Sequence, residues 1–203
     1  MANQDIVQLK IELTDIDPPI WRRVQVPADF TLRGLHGVIQ VVFDWLDYHL
    51  HEFEVGDQRY GAEIADDDFG SERVESDDNV ELADLVERGV KRFVYTYDFG
   101  DGWEHLITVE KVLAPQDGAE YPILVDGARQ APPEDCGGPP GFEMFLEAMQ
   151  DEDHEEHDHL LDWYGEPFDP LDMRLEHVEA RLEEIRASRR KGRAKGRRGR
   201  SSE

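Results

Sequence analysis

The side chains of this chain that could do chemistry fall into three short stretches. His49 and His51 stand two apart in Asp47-Tyr48-His49-Leu50-His51-Glu52-Phe53. Asp98, Asp101, Trp103, Glu104 and His105 crowd the run Tyr97-Asp98-Phe99-Gly100-Asp101-Gly102-Trp103-Glu104-His105. Asp135 and the single cysteine, Cys136, lie in Pro132-Pro133-Glu134-Asp135-Cys136-Gly137-Gly138. Imidazole, carboxylate and thiolate are the usual ligands of zinc and related divalent metals. Residues two apart on a strand share a face, so His49 and His51 form a ligand pair. His105, held just past a tight turn, completes a candidate metal set of His49, His51 and His105. The same residues admit metal-free acid–base chemistry. They also admit a Cys136–His105 nucleophile pair with Gly137 and Gly138 as oxyanion donors. The plainest alternative is structural: half-buried strand histidines, with Asp98 and Asp101 capping a turn. The spacing matches no named zinc pattern, and one cysteine excludes a cysteine-rich structural site. Trp21 and Arg22, in Ile20-Trp21-Arg22-Arg23-Val24, extend the candidate binding surface. There the competing expectation is an aromatic on the core face beside solvated arginines.

These stretches need elements to hold them. Val7, Leu9, Ile11 and Leu13 alternate as on a half-buried strand, and residues 20–27 resume extended structure, so the chain opens on a hairpin. Thr31 is a helix N-cap, and Leu32, Leu35, Val38, Ile39, Val42 and Phe43 recur at helical spacing. A strand is expected over residues 47–55 with a short return at 58–61. Residues 62–79 read as an acidic loop, and 80–86 as a short helix. The central hairpin spans residues 92–113 and turns at Gly100-Asp101-Gly102, where Gly and Asp tolerate positive φ. A short edge strand near 121–125 and a long punctuated loop to Gly141 follow. Helices are expected over 142–149, 153–164 and about 171–188. The fold class is α+β: one compact domain over residues 1–187, with a mixed or antiparallel sheet packed by helices and a helical C-terminal part.

Two further groups invite a metal reading and do not sustain it. Asp66-Asp67-Asp68 lacks the alternating ligands, glycine and terminal glutamate of an EF-hand loop. His154, His157 and His159 lack the His-Glu-x-x-His spacing and suit a solvated helix face.

The chain has 203 residues, 22 basic against 47 acidic, for a net charge of −25. Nine of the 22 basic residues lie between Arg186 and Arg200, so the body is more acidic still. Such a body repels nucleic-acid phosphates. Residues 188–203, carrying Arg189, Arg190, Lys191, Arg193, Lys195, Arg197, Arg198 and Arg200 among glycines, are expected to be a disordered tail. They suit nonspecific nucleic acid, an acidic partner, or the body itself. No signal peptide or membrane span is legible, and a lone cysteine fits a reducing compartment, so a cytoplasmic location is expected.

Five motifs in order, namely Ile20-Trp21-Arg22-Arg23-Val24, residues 47–53, residues 97–105, Asp126-Gly127-Ala128-Arg129 and residues 132–138, make the chain resemble the Ri-plasmid ORF-3-like family. Relatives include insertion-element passenger proteins labelled resolvase-like. The resemblance covers about residues 5–185 and implies a compact α+β domain. It implies no activity and assigns no catalytic residue, and the acidic body lacks the arginine-rich serine site that a resolvase needs. The functional expectation is a binding or interaction module associated with mobile elements, recognising a protein or small molecule. The alternatives are a metal-dependent or cysteine-based enzyme and nonspecific nucleic-acid binding through the tail.

Overall fold

Alternation of apolar and polar residues builds the centre of the sheet. β1 (Ile6–Leu13) pairs antiparallel with β2 (Trp21–Pro27) on one side and with β7 (Trp103–Leu113) on the other, placing Leu9 beside Val24 and Val109. β6 (Arg92–Tyr97) and β7 form the central hairpin, and β3 (His51–Val55) and β4 (Gln58–Gly61) a shorter one. β5 (Val74–Ser76) adds parallel to β4, and β8 (Ile123–Ala128) adds antiparallel to β2. The eight strands run in the order β5-β4-β3-β6-β7-β1-β2-β8, a mixed sheet. The computed structural model describes residues 5–62 and 74–199, with side chains as far as residue 192.

α1 (Leu32–Val42) starts at Thr31, whose hydroxyl accepts the Gly34 N–H at 3.1 Å. Its buried face, Leu32, Leu35, Val38, Ile39 and Val42, joins Leu9, Ile11, Val24 and Phe53 of the sheet in one core. Each such side chain contributes roughly 1.5–3 kcal/mol by leaving water. α2 (Leu82–Glu87), α3 (Gly138–Gln150), α4 (His157–Tyr164) and α5 (Leu175–Gly199) complete the α+β domain.

Several boundaries differ from the sequence expectation, among them α4, which begins at His157 and not at residue 153. β3 begins at His51, leaving residues 47–50 as a loop. α3 begins at Gly138, because Pro139 and Pro140 occupy its first turn, where a missing N–H costs nothing. The acidic loop of 62–79 gives way at Val74 to a strand and a 3-10 turn over Asp77–Asn79; residues 63–73, including Asp66-Asp67-Asp68, lie outside the described residues. The tail, expected to lose structure at residue 188, instead continues α5 to Gly199. The body holds that helix as far as residue 190. Arg186 donates to Pro122 O at 3.0 Å, Arg189 to Asp29 at 2.7 Å, and Arg190 to Glu183 at 2.6 Å and to Glu120.

Candidate functional site

The central hairpin places the first acid. Tyr97 pairs with Trp103, and the intervening turn sets Asp98 at φ +53° and Gly102 at φ +71°. Asp98 Oδ1 accepts the Gly100 N–H at 2.9 Å, and the residue is only 8% exposed. The Asp98 N–H donates to Leu50 O at 3.0 Å, which ties the turn to the loop before β3. That loop carries His49. Its Tyr48 and His49 N–H groups both donate to the Tyr97 hydroxyl, at 3.0 and 3.3 Å.

The third segment, residues 131–137, folds back over the hairpin. The Trp45 indole donates to Pro132 O at 2.8 Å, and the Gly137 N–H donates to Asp101 Oδ2 at 3.0 Å. Gly138 sits so close to the turn that a Cβ would fall 2.3 Å from Asp101 O. Glu134, delivered by this segment, accepts the Tyr97 hydroxyl at 3.1 Å and the Leu46 N–H at 2.6 Å. Burial first, and then the charge of Glu134, pushes the Tyr97 hydroxyl well above its ordinary range, so it keeps the proton it donates.

These contacts converge on one atom. His49 Nε2 lies 3.0 Å from Asp135 Oδ1 and 3.6 Å from both Asp98 Oδ2 and Glu134 Oε2. Asp98 and Glu134 stand beyond hydrogen-bond reach, Asp135 is close without forming a hydrogen bond, and Nε2 is shielded from solvent without a hydrogen-bond partner among the described residues. Ligand atoms of His49, Asp98 and Asp135 all lie within 4.8 Å of one another. Ligands bonded to a metal at about 2.0–2.2 Å stand up to roughly 4 Å apart, so the cluster needs a contraction of only several tenths of an ångström. One imidazole with carboxylates suits zinc, manganese or iron(II).

The other expected site residues separate from this cluster. His51 does not share a strand face with His49, because His49 precedes β3. Its Nε2 instead pairs with Asp77 Oδ2 at 2.8 Å, and its ring stacks on His36 at 3.6 Å. His105 is fully buried, edge-on to Phe43 and Trp45, with Nδ1 against Tyr95 O and Trp103 O at 3.3 and 3.2 Å. The structure therefore does not bring His49, His51 and His105 together; it brings His49 to Asp98 and Asp135. Cys136 is not paired with His105: the His105 ring bonds to backbone carbonyls, and burial, then the Asp101 charge, push the thiol up to about 12. Trp103 belongs to the core beside Trp45. Glu104 is exposed, and Asp101 is used to hold Gly137. At β2 the expectation inverts. Arg22 faces the core and Trp21 faces outward, with Lys10 and Arg23 at 5.4 and 5.0 Å from its ring. In the His154, His157 and His159 group, His157 is spent on Ala148 O at 2.7 Å.

Sequence reasoning missed Glu134, Tyr97 and the rim. Leu46, Tyr48, Leu50 and Phe99 are each more than half exposed. All four lie on the loops joined to Glu134, Tyr97 and Asp98 by the bonds above. Glu134 had a signal, an acid beside Asp135 between prolines and glycines; the rim had none, since exposure is not written in residue type. His36 was also missed: its Nε2 lies 2.9 Å from Asp47 and its Nδ1 2.8 Å from the Tyr95 hydroxyl, pinning the His49 loop to α1.

The family model described as plasmid pRiA4b ORF-3-like protein matches residues 5–177. The chain belongs to this family. The ORF-3-like chain is 39% identical over 160 residues to the uncharacterized protein y4hQ of Sinorhizobium fredii, covering 79% of this chain and 81% of that protein. It superposes with a TM-score of 0.75 on the crystal structure of MM3350, a protein of unknown function from Methanosarcina mazei Go1, at 41% identity. That match covers 83% of this chain and 94% of the other. Most of α5 lies beyond the family match. No helix among the described residues is long and apolar enough to cross a membrane.

Proposed function

We propose that this ORF-3-like protein is a binding module that holds a divalent cation between His49, Asp98 and Asp135 and presents it to a protein or small-molecule ligand. The observation that carries this reading is the buried His49 Nε2, which faces Asp98, Glu134 and Asp135 without an aligned hydrogen bond. In water such a nitrogen would be satisfied, and a metal is the partner that its neighbours could share. Glu134, already held by Tyr97 and Leu46, acts as the positioning carboxylate. The apolar rim of Leu46, Tyr48, Leu50 and Phe99 supports recognition over turnover, since large apolar side chains in water are a common mark of contact surfaces. Association with mobile elements rests on the family's plasmid description alone.

Untagged protein stripped with a chelator and dialysed against manganese or zinc is expected to take up one ion per chain. His49→Ala and Asp98→Asn should abolish that stoichiometric uptake, whereas His51→Ala should leave it intact. Equal uptake by all three variants would refute the reading. Nonspecific nucleic-acid binding through the tail is less favoured, because Arg189 and Arg190 are already paired with Asp29, Glu120 and Glu183.

A further inference from the structure

Arg22 is buried without an acid in direct ion-pair contact among the described residues. The residue is 1% exposed, and its guanidinium lies over the Phe43 ring at 5.1 Å. Nε donates to Val42 O at 2.7 Å, and Nη1 donates to Trp21 O and Ala128 O at 2.9 and 3.0 Å. Those bonds cap the C-terminal end of α1 and join β2 to β8, which explains the Nε and Nη1 edge of the side chain. Nη2 has no hydrogen-bond partner among the described residues. Asp44, the acid whose field reaches Arg22, is occupied by Arg181 at 2.8 Å, His177 at 3.1 Å and Arg174 at 3.6 Å. Burial lowers the Arg22 pKa to about 10, which still leaves it charged at neutral pH.

The same side chain lines a cavity of about 180 Å³, shared with Gln130, Tyr164, Met173 and Arg174. At about 30 Å³ per water the cavity has room for roughly six waters or one compact ion. Asp44 also lines it, already engaged by Arg181, His177 and Arg174, while Gln130, Tyr164 and Arg174 offer donors. The Tyr164 hydroxyl accepts from Gln130 at 2.8 Å and keeps its own proton to give, and Arg174 supplies a second cation. Glu134 reaches the cavity wall too, but its oxygens are held by Leu46 and Tyr97.

We infer that this cavity is a binding site for a compact oxyanion, a small carboxylate or phosphate, seated on the free Nη2 edge of Arg22 with Tyr164 and Arg174 as further donors. A guanidinium edge and a hydroxyl are the groups that recognise such anions. The cavity shares only its Glu134 and Leu46 wall with the surroundings of the cation centre, and the inference stands whether or not that centre binds metal.

The test is a titration of protein carrying ¹⁵N-labelled arginine with sodium acetate and with inorganic phosphate, against sodium chloride at matched ionic strength. A saturable shift of the Arg22 Nε–H resonance with acetate or phosphate, together with a rise in Tm, is expected; the more effective anion names the class. Chloride giving the same response, or no saturable shift with either oxyanion, would overturn the inference. Arg22→Lys removes a helix cap as well, so Tyr164→Phe and Arg174→Gln carry the test. Each should fold as the parent does and bind the anion roughly tenfold more weakly. Undiminished affinity in both would place the anion elsewhere. Asp135→Asn, aimed at the cation centre, should leave the anion response unchanged.

Discussion

The Tyr97 hydroxyl and the Glu134 carboxylate, 37 residues apart in sequence, meet at 3.1 and 3.2 Å, and this pair locks together the three segments of the site. The hydroxyl also takes the N–H groups of Tyr48 and His49. Tyr97→Phe keeps the ring stacked on Trp45 and removes only these bonds. It should cost about 1–3 kcal/mol of stability and lower cation affinity roughly 10- to 100-fold, as loss of an outer-shell partner does. Urea melts and calorimetric titration measure the two effects; an unchanged affinity would show that the loops do not need the lock.

Two buried histidines make the fold acid-sensitive. Burial holds His105 down to about 3, and burial with the adjacent His51 holds His36 down to about 4, both from an ordinary 6.5. The unfolded chain therefore takes up protons that the folded chain refuses. Their stabilising contribution is complete above about pH 6.5. Each ring loses about 1.4 kcal/mol per pH unit as the pH falls toward its folded value. His105→Leu should be nearly neutral at pH 7, since the orphaned Nε2 gains nothing from burial, and should remove one proton from the slope between pH 6 and 4. Denaturant midpoints across that range decide it, and a slope equal to the parent's would contradict the assignment.

Cys136 should be chemically quiet. With its thiol pushed up to about 12, the thiolate fraction at pH 8 is about 10⁻⁴, so alkylation by iodoacetamide should run roughly 10³-fold slower than for a free thiol. Mass spectrometry of the native protein follows this directly. Rapid labelling would return the cysteine to the list of reactive groups. Cys136→Ala should keep cation binding.

Gly138 and Gly165 separate backbone strain from steric contact. Both have positive φ, +69° and +91°. A Cβ at Gly138 meets Asp101 O at 2.3 Å, whereas one at Gly165 meets nothing within 4 Å. Gly165→Ala should cost about 1–2 kcal/mol, the left-handed penalty alone. Gly138→Ala should cost clearly more, by roughly 1–3 kcal/mol of overpacking, and should weaken cation binding by lifting Asp135 from the hairpin. Similar losses in the two variants would mean that the loop docks less tightly than the geometry states.

The local elements were legible in the sequence, because their signals are local. The period-2 runs of β1, β6 and β7 and the 3.6-residue stripe of α1 each fix a buried face through near neighbours. The turn chemistry of Gly100-Asp101-Gly102 placed the central hairpin, and His49 and Asp98 were recognisable as ligand types. Which of them meet depends on long-range packing. A period of two does not say which face of β2 is inward; α1, needing a cap at Val42, drew Arg22 to the core and left Trp21 outside. Likewise His51 and His105 carry the same imidazole as His49. One was claimed by Asp77 and the other by the aromatic core, while a loop 85 residues further along brought Glu134 and Asp135 to His49. Contacts at that separation depend on how the whole sheet and its loops close, and no short window of sequence contains that information.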